Sequence, residues 1–401
     1  MKPKSILLLI LLVIGSSCKD EESKSNKVVR SKFEWKQSAN KNIAFQLEMD
    51  SLNTKIEKGI YGNIDEVFVS KGDSIYFNKQ FNLDYSEISK DKEGKMGCGI
   101  NMCKDSSEVN LYNYYHPKYH PYYLDTKLHT IQSITKSVTS TIIGNAIQND
   151  DLKGVDDPIY PFFSNYELSN SMKSHLKSTT LKDVLTMQLG LKWTEMGMSL
   201  EMESNVSAME LSDDWIAYTL NQPVQDKPGT VWNYNSGASQ LLSQIIKSVT
   251  QETVHSYAKK SIFRKLDIKD YYWKTTPTNL SDTEGGLYLR ADDLAKIGLL
   301  YLQDGVWNGE RILPRNWAKE ALGKQVKDIY KDGGKEGYGY QWWITSDEAP
   351  LAVGLGYGNQ MLVIIPEYNI VGVVYAWNVF EEEAKYIFRD FVDVIVNLKK
   401  E

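Results

Sequence analysis

A lysine three residues after a serine is weak evidence of chemistry until its surroundings are read. The pattern occurs in this chain at Ser16, Ser38, Ser89, Ser133, Ser174 and Ser256. Ser16 belongs to an apolar leader, Ser38 and Ser89 to polar stretches, and Ser174 and Ser256 stand among other charges that mark solvated surface. Only Ser133 opens a segment, Ile134 to Ile147, whose sole charge is Lys136. Such a helix is buried nearly all round, and an ammonium inside it is costly unless something requires it there. Serine is a poor nucleophile without a neighbouring base, and lysine becomes a base when desolvation or a nearby cation lowers its pKa. Residues three apart share a helix face, so the Lys136 amine can reach the Ser133 hydroxyl. A serine at a helix start also has backbone N–H groups aimed where an oxyanion would develop. The expectation is an uncharged Lys136 amine within hydrogen-bonding reach of Ser133.

Other chemistry-bearing residues carry weaker patterns. His129 precedes Ser133 by four residues and invites a Ser-His-Asp arrangement, but its place before the helix start predicts a packing or orienting role. His116 and His120 are separated by prolines that forbid a helix, so they are not a metal pair on one helix face, and no metal site is expected. His175 and His255 sit in polar helical segments and are expected to be solvated. Asp156-Asp157-Pro158 reads as a turn in which the aspartates cap backbone donors. Gly285-Gly286-Leu287-Tyr288-Leu289 reads as a glycine turn and short strand leading into a buried helix from Ala291 to Leu302, without the spacing of a phosphate-binding loop. Trp342-Trp343 could line a cleft, although a buried sheet edge is the commoner fate of paired tryptophans.

Around these residues the chain has 401 residues, 42% hydrophobic, with a net charge of -6. That length can bury one large core or two lobes sharing a cleft, and the balance of charge offers no basic field for nucleic acid. Ile43, Phe45, Leu47, Leu52 and Ile56 recur at helical spacing, and Glu66 to Phe81 reads as two strands around Lys71-Gly72-Asp73. The far end mirrors this: a strand from Gln360 to Ile365, a turn at Pro366-Glu367-Tyr368-Asn369, a strand from Ile370 to Trp377, and an amphipathic helix through Phe388, Phe391, Val392 and Ile395. The expected fold class is α+β. One antiparallel sheet is built from both chain ends and flanked by helices, a mostly helical lobe covers roughly residues 150–251, and the active site lies in the cleft between them.

The start of the chain, MKPKSILLLILLVIGSSC, has two lysines, an apolar run too short to span a bilayer, and small residues before Cys18. This is the layout of an export signal over residues 1–17. Gly15-Ser16-Ser17-Cys18 resembles the lipobox of bacterial lipoproteins, which implies acylation of Cys18. The charged, serine-rich stretch 18–32 is expected to be a tether, with the domain occupying 33–401. Lys19-Asp20-Glu21-Glu22 resembles the acidic tag of surface-directed lipoproteins, so the expected location is the cell envelope, at the outer membrane and exposed on the surface. With Cys18 acylated, Cys98 and Cys103 remain as an even pair, expected to form a small-loop disulfide in an oxidising compartment. Residues 88–124, with their prolines and clustered tyrosines, read as a surface insertion.

Several ordered stretches resemble the serine beta-lactamase and penicillin-binding-protein superfamily, most closely its esterase and 6-aminohexanoate-dimer hydrolase branch. Ser133-Ile134-Thr135-Lys136 is similar to the first motif, with Thr180 to Met187 following at the expected distance. Pro228 to Ser236, containing Tyr234, is similar to the second motif, and Gly354-Leu355-Gly356-Tyr357-Gly358 falls where the third lies. The resemblance implies Ser133 as nucleophile, Lys136 as general base and Tyr234 as proton relay. It implies an oxyanion hole from the Ser133 and Tyr357 N–H groups, substrate contacts at Ser236, Gly354 and Gly356, and no cofactor. Two departures stand out: Gly354 replaces the lysine or histidine that helps hold a substrate carboxylate, and Ser236 replaces an asparagine that binds an acyl-side amide. Both favour a small-molecule or peptide-like ester or amide substrate over a penicillin. Peptidoglycan peptidase and beta-lactamase activity on the same residues, and a non-catalytic surface binding module, stay open.

Overall fold

The computed structural model describes residues 33–39, 42–81, 83, 84, 87, 126–195, 204–345, 350–378 and 384–400. The expected signal and tether, Cys18, the Cys98 and Cys103 pair and the 88–124 insertion lie outside the described residues. Nine strands form the main sheet: β1 (Lys36–Gln37), β2 (Ile64–Lys71), β3 (Ser74–Gln80), β4 (Val326–Lys327), β5 (Gly337–Tyr338), β6 (Trp343–Thr345), β7 (Leu351–Gly356), β8 (Gln360–Ile365) and β9 (Ile370–Ala376). Their order across the sheet is β1-β3-β2-β9-β8-β7-β6-β5-β4. Strand β9 pairs antiparallel with β2 from Ile370 against Lys71 to Ala376 against Ile64, so the two chain ends meet at the middle of the sheet. All pairings are antiparallel except the short β1, which runs parallel to β3.

Alternation of side chains sorts the sheet residues between two cores. Val67, Val69, Val363, Ile370 and Val374 pack with helix α1 (Ile43–Glu57) and the C-terminal helix α5 (Phe388–Val396). Phe68, Leu362, Ile364, Val371 and Val373 face the larger core, which contains α2 (Ile134–Gln148), α3 (Ser236–Thr250) and α4 (Ala291–Leu302). A sheet covered on both faces explains why its strands read as near-continuous apolar runs. Between residues 150 and 251 the described regular elements are helices, joined by isolated bridges such as Leu191 with Val224.

Helix α1 corrects one expectation. It buries Phe45, Met49, Leu52 and Ile56, whereas Ile43 and Leu47 are 72% and 66% exposed. The spacing of four, three and four from Phe45 defines one face, and positions 43 and 47 fall on the other. His175 is likewise buried, not solvated, with Nε2 bonded to the Leu189 carbonyl at 2.7 Å.

Candidate active site

Ser133 sits between two short structural commitments. His129–Thr130 pairs with Leu287–Leu289, and the Ile131 N–H donates to the Leu287 carbonyl at 3.0 Å. Gln132 then takes a positive φ of 49° before α2 begins. Ser133 occupies the N-cap of α2, yet its side chain makes no capping hydrogen bond. Serine at that position usually accepts from the first-turn N–H groups, so its hydroxyl here is committed elsewhere.

That partner is Lys136. Its Nζ lies 2.9 Å from Ser133 Oγ, and the side chain is 1% exposed in a helix buried from Ile134 to Ala146. Nζ also donates to the Glu284 carbonyl at 2.7 Å and lies 3.2 Å from Glu284 Oε2. Three acceptors around one nitrogen match the three N–H bonds of an ammonium. Burial alone would push the Lys136 pKa down. The attraction of Tyr234, Glu284 and Glu195 and the hydrogen bond to Glu284 outweigh it and hold the amine above its ordinary value. The expected uncharged amine is therefore replaced in the resting site by a charged one, because buried acids lie where the sequence showed only an apolar helix. Tyr234 is raised by burial and is a neutral phenol near pH 7, so the carboxylates carry that attraction there.

Tyr234 is buried beside this pair. Lys136 Nζ lies 5.3 Å from the centre of its ring, its phenol faces Ser133, and it stacks on Trp343 with ring centres 5.4 Å apart. Trp343 thus belongs to the site wall on β6, while Trp342 is buried in the core. Ser133, Lys136 and Tyr234 are brought together.

The remaining predicted residues divide. Ser236 is 1% exposed at the start of α3, and its hydroxyl and N–H donate to Glu195 at 2.7 and 2.9 Å. That side chain is spoken for, so it is a poorer amide binder than its position suggests. Gly354 is buried against α2: a Cβ there would lie 3.0 Å from Ile134 Cγ2 and 3.2 Å from Ser137 Oγ. Gly356 passes closer, with a Cβ 2.5 Å from the Ile131 carbonyl and 2.9 Å from Gln132 Cβ. Only glycine permits this approach, which sets the Gly356-Tyr357 peptide alongside the segment leading into Ser133. His129 is not part of the constellation: Nε2 bonds Asp65 at 2.9 Å, Nδ1 bonds the Thr130 carbonyl at 2.8 Å, and the ring stacks on Tyr375.

A model of the Beta-lactamase family matches residues 110–390. The chain belongs to the beta-lactamase family. Among curated relatives, 6-aminohexanoate-dimer hydrolase of Paenarthrobacter ureafaciens is 28% identical over 147 residues, which cover 35% of this chain and 38% of that protein. The matched stretch thus spans well under two thirds of that relative's length. A putative 6-aminohexanoate-dimer hydrolase from Bacillus anthracis superposes with a TM-score of 0.65 at 20% identity, over 86% of this chain and 82% of that one. EstCE1, described as a hydrolase with promiscuous acyltransferase activity, superposes with a TM-score of 0.60 at 13% identity, over 88% and 98% of the two chains. These likenesses carry the fold.

Within this beta-lactamase-family site, sequence reading missed the acids. Glu284, Glu195 and Glu210 surround Lys136 or its partner, and none was singled out. Glu284 reaches Lys136 because Asp282 Oδ1 accepts from the Glu284 and Gly285 N–H groups at 3.2 and 2.9 Å. The loop is strapped to α3 by Thr283 N–H to Gln240 Oε1 at 3.0 Å and Gln240 Nε2 to the Ser281 carbonyl at 3.0 Å. The usable signal was an acid in the glycine turn Glu284-Gly285-Gly286 ahead of a buried helix, the same anomaly that marked Lys136. Among the described residues no group of three or more His, Cys, Asp or Glu is arranged to hold a metal ion.

Proposed function

We propose that this member of the beta-lactamase family is a serine hydrolase that cleaves an ester or amide bond through an acyl-enzyme on Ser133. The observation that carries the reading is the Ser133 hydroxyl, which leaves its helix uncapped and lies 2.9 Å from Lys136 Nζ with Tyr234 beside it. Ser133 Oγ attacks the carbonyl carbon once the Lys136 and Tyr234 unit has lost a proton to solvent and can take the one on the hydroxyl. The tetrahedral oxyanion forms against the Ser133 and Tyr357 N–H groups. Collapse expels the alcohol or amine, which receives its proton through Tyr234, and water then attacks the acyl-enzyme by the same route in reverse. The packing of Gly354 against Ile134 and Ser137 supports a substrate without a carboxylate anchored at that position.

A fluorophosphonate label followed by peptide mapping tests this directly. A mass increase on Ser133 of the folded protein is the expected result. No label on Ser133 would overturn the enzyme and favour a surface binding module. Comparing nitrocefin, short acyl esters and linear amide oligomers then separates the esterase or amidase from beta-lactamase and peptidase readings. The proposed location, a lipoprotein of the cell envelope, rests on the first residues alone: palmitate incorporation lost in Cys18→Ser is its test.

A further inference from the structure

Glu284 grips Lys136 twice, through its backbone carbonyl and through its carboxylate, and both contacts are buried. Behind it, the buried Glu210 carboxyl lies against the same carboxylate, and no hydrogen-bond donor reaches its Oε2. A buried carboxyl that no donor reaches fits a neutral acid, because two neighbouring carboxyl groups in a dry site cannot both ionise. Glu210 accordingly carries the proton, and Glu284 pairs with the Lys136 ammonium. Asp282 and Lys274 also face this pair, and Tyr234 and Glu195 face Lys136 from the other sides. Burial first, then Glu284 and Asp282, raises Glu210 well above the carboxylate range, which agrees with that division.

We propose that Glu284 is a positioning residue that fixes the charge of Lys136 and so sets the lowest pH at which Ser133 is activated. This rests on the reading of Ser133 and Lys136 given above. An anion beside an ammonium strengthens its hold on the proton, so the unit must be carried to higher pH before it can accept the one on Ser133. Replacing the charge while keeping the shape releases that proton earlier.

The test is the rate of fluorophosphonate labelling of Ser133 against pH in the full chain, for the native protein, Glu284→Gln and Glu284→Asp. The native rate should rise with pH to a plateau. Glu284→Gln should move the midpoint of that rise down by about one pH unit or more, giving about tenfold faster labelling relative to its own plateau on the acid side. Glu284→Asp, which keeps the charge on a shorter arm, should fall between the two. A residue that merely braced the loop would change the plateau and leave the midpoint in place, so unmoved midpoints overturn the proposal. Should Glu284→Gln not fold, the Glu284→Asp midpoint decides alone. A native protein unlabelled at every pH removes the reading of Ser133 itself, whereas a labelled native protein with unmoved variants removes only the role of Glu284.

Discussion

A serine that begins a helix and declines to cap it has been given another task, and the cost of changing it should show where that task lies. Because Ser133 contributes no capping bond, Ser133→Ala should leave the melting temperature near its native value. The same change should lower kcat on a chromogenic ester by about 10^3-fold or more, as removal of a nucleophile does in serine enzymes. Lys136→Ala is a different case. It removes the cation that faces Glu284 and Glu195, and a buried charge left without its partner typically costs about 3–5 kcal/mol. Denaturant melts of the two variants should therefore separate clearly, even though both lose activity.

At the scale of elements, the site depends on a strand and a helix approaching more closely than side chains allow. Gly356→Ala places a methyl group 2.5 Å from the Ile131 carbonyl, so β7 must retreat from the segment that delivers Ser133. The expected outcome is a fall in kcat/KM of about 10–100-fold, since a misplacement near 1 Å is enough, with the far-ultraviolet dichroism spectrum unchanged. Elements of this kind were legible in the sequence where periodicity was long: α2, the pair β2 and β3, and the pair β8 and β9 all follow from apolar spacing. Helix α1 was legible as a helix but not as to its face, because Ile43 and Leu47 are apolar residues left outside. Ser133 and Lys136 could be joined because they are one turn apart. Glu284 could not be joined to Lys136, since 148 residues separate them and only the closure of the Ser281 to Gly286 loop on α3 brings them together. His175 was misjudged for a related reason: its neighbours in the chain are polar, but its neighbour in space is the Leu189 carbonyl.

The molecule as a whole stores an unfavourable proton balance in its core. Glu210 is held neutral by burial, whereas in the unfolded chain it ionises near its ordinary value. Its folded pKa is raised, so its contribution is fully present below the unfolded value near pH 4 and is lost as pH rises, when the unfolded chain releases a proton that the folded one keeps. Glu210→Gln keeps the shape without that loss. The melting temperatures of variant and native protein should coincide at about pH 4 and diverge by roughly 2–4 °C in favour of the variant by about pH 7, as followed by scanning calorimetry.

The pairing of β2 with β9 has a bearing on biogenesis. The middle of the sheet joins β2 to a strand made much later in synthesis, so the ribosome must pass β9 before the central ladder can close. Until then the nascent polypeptide lacks the hydrogen bonds that would lock it, and it stays loose enough to be threaded through a narrow translocation channel, which is what a precursor with the proposed leader must do.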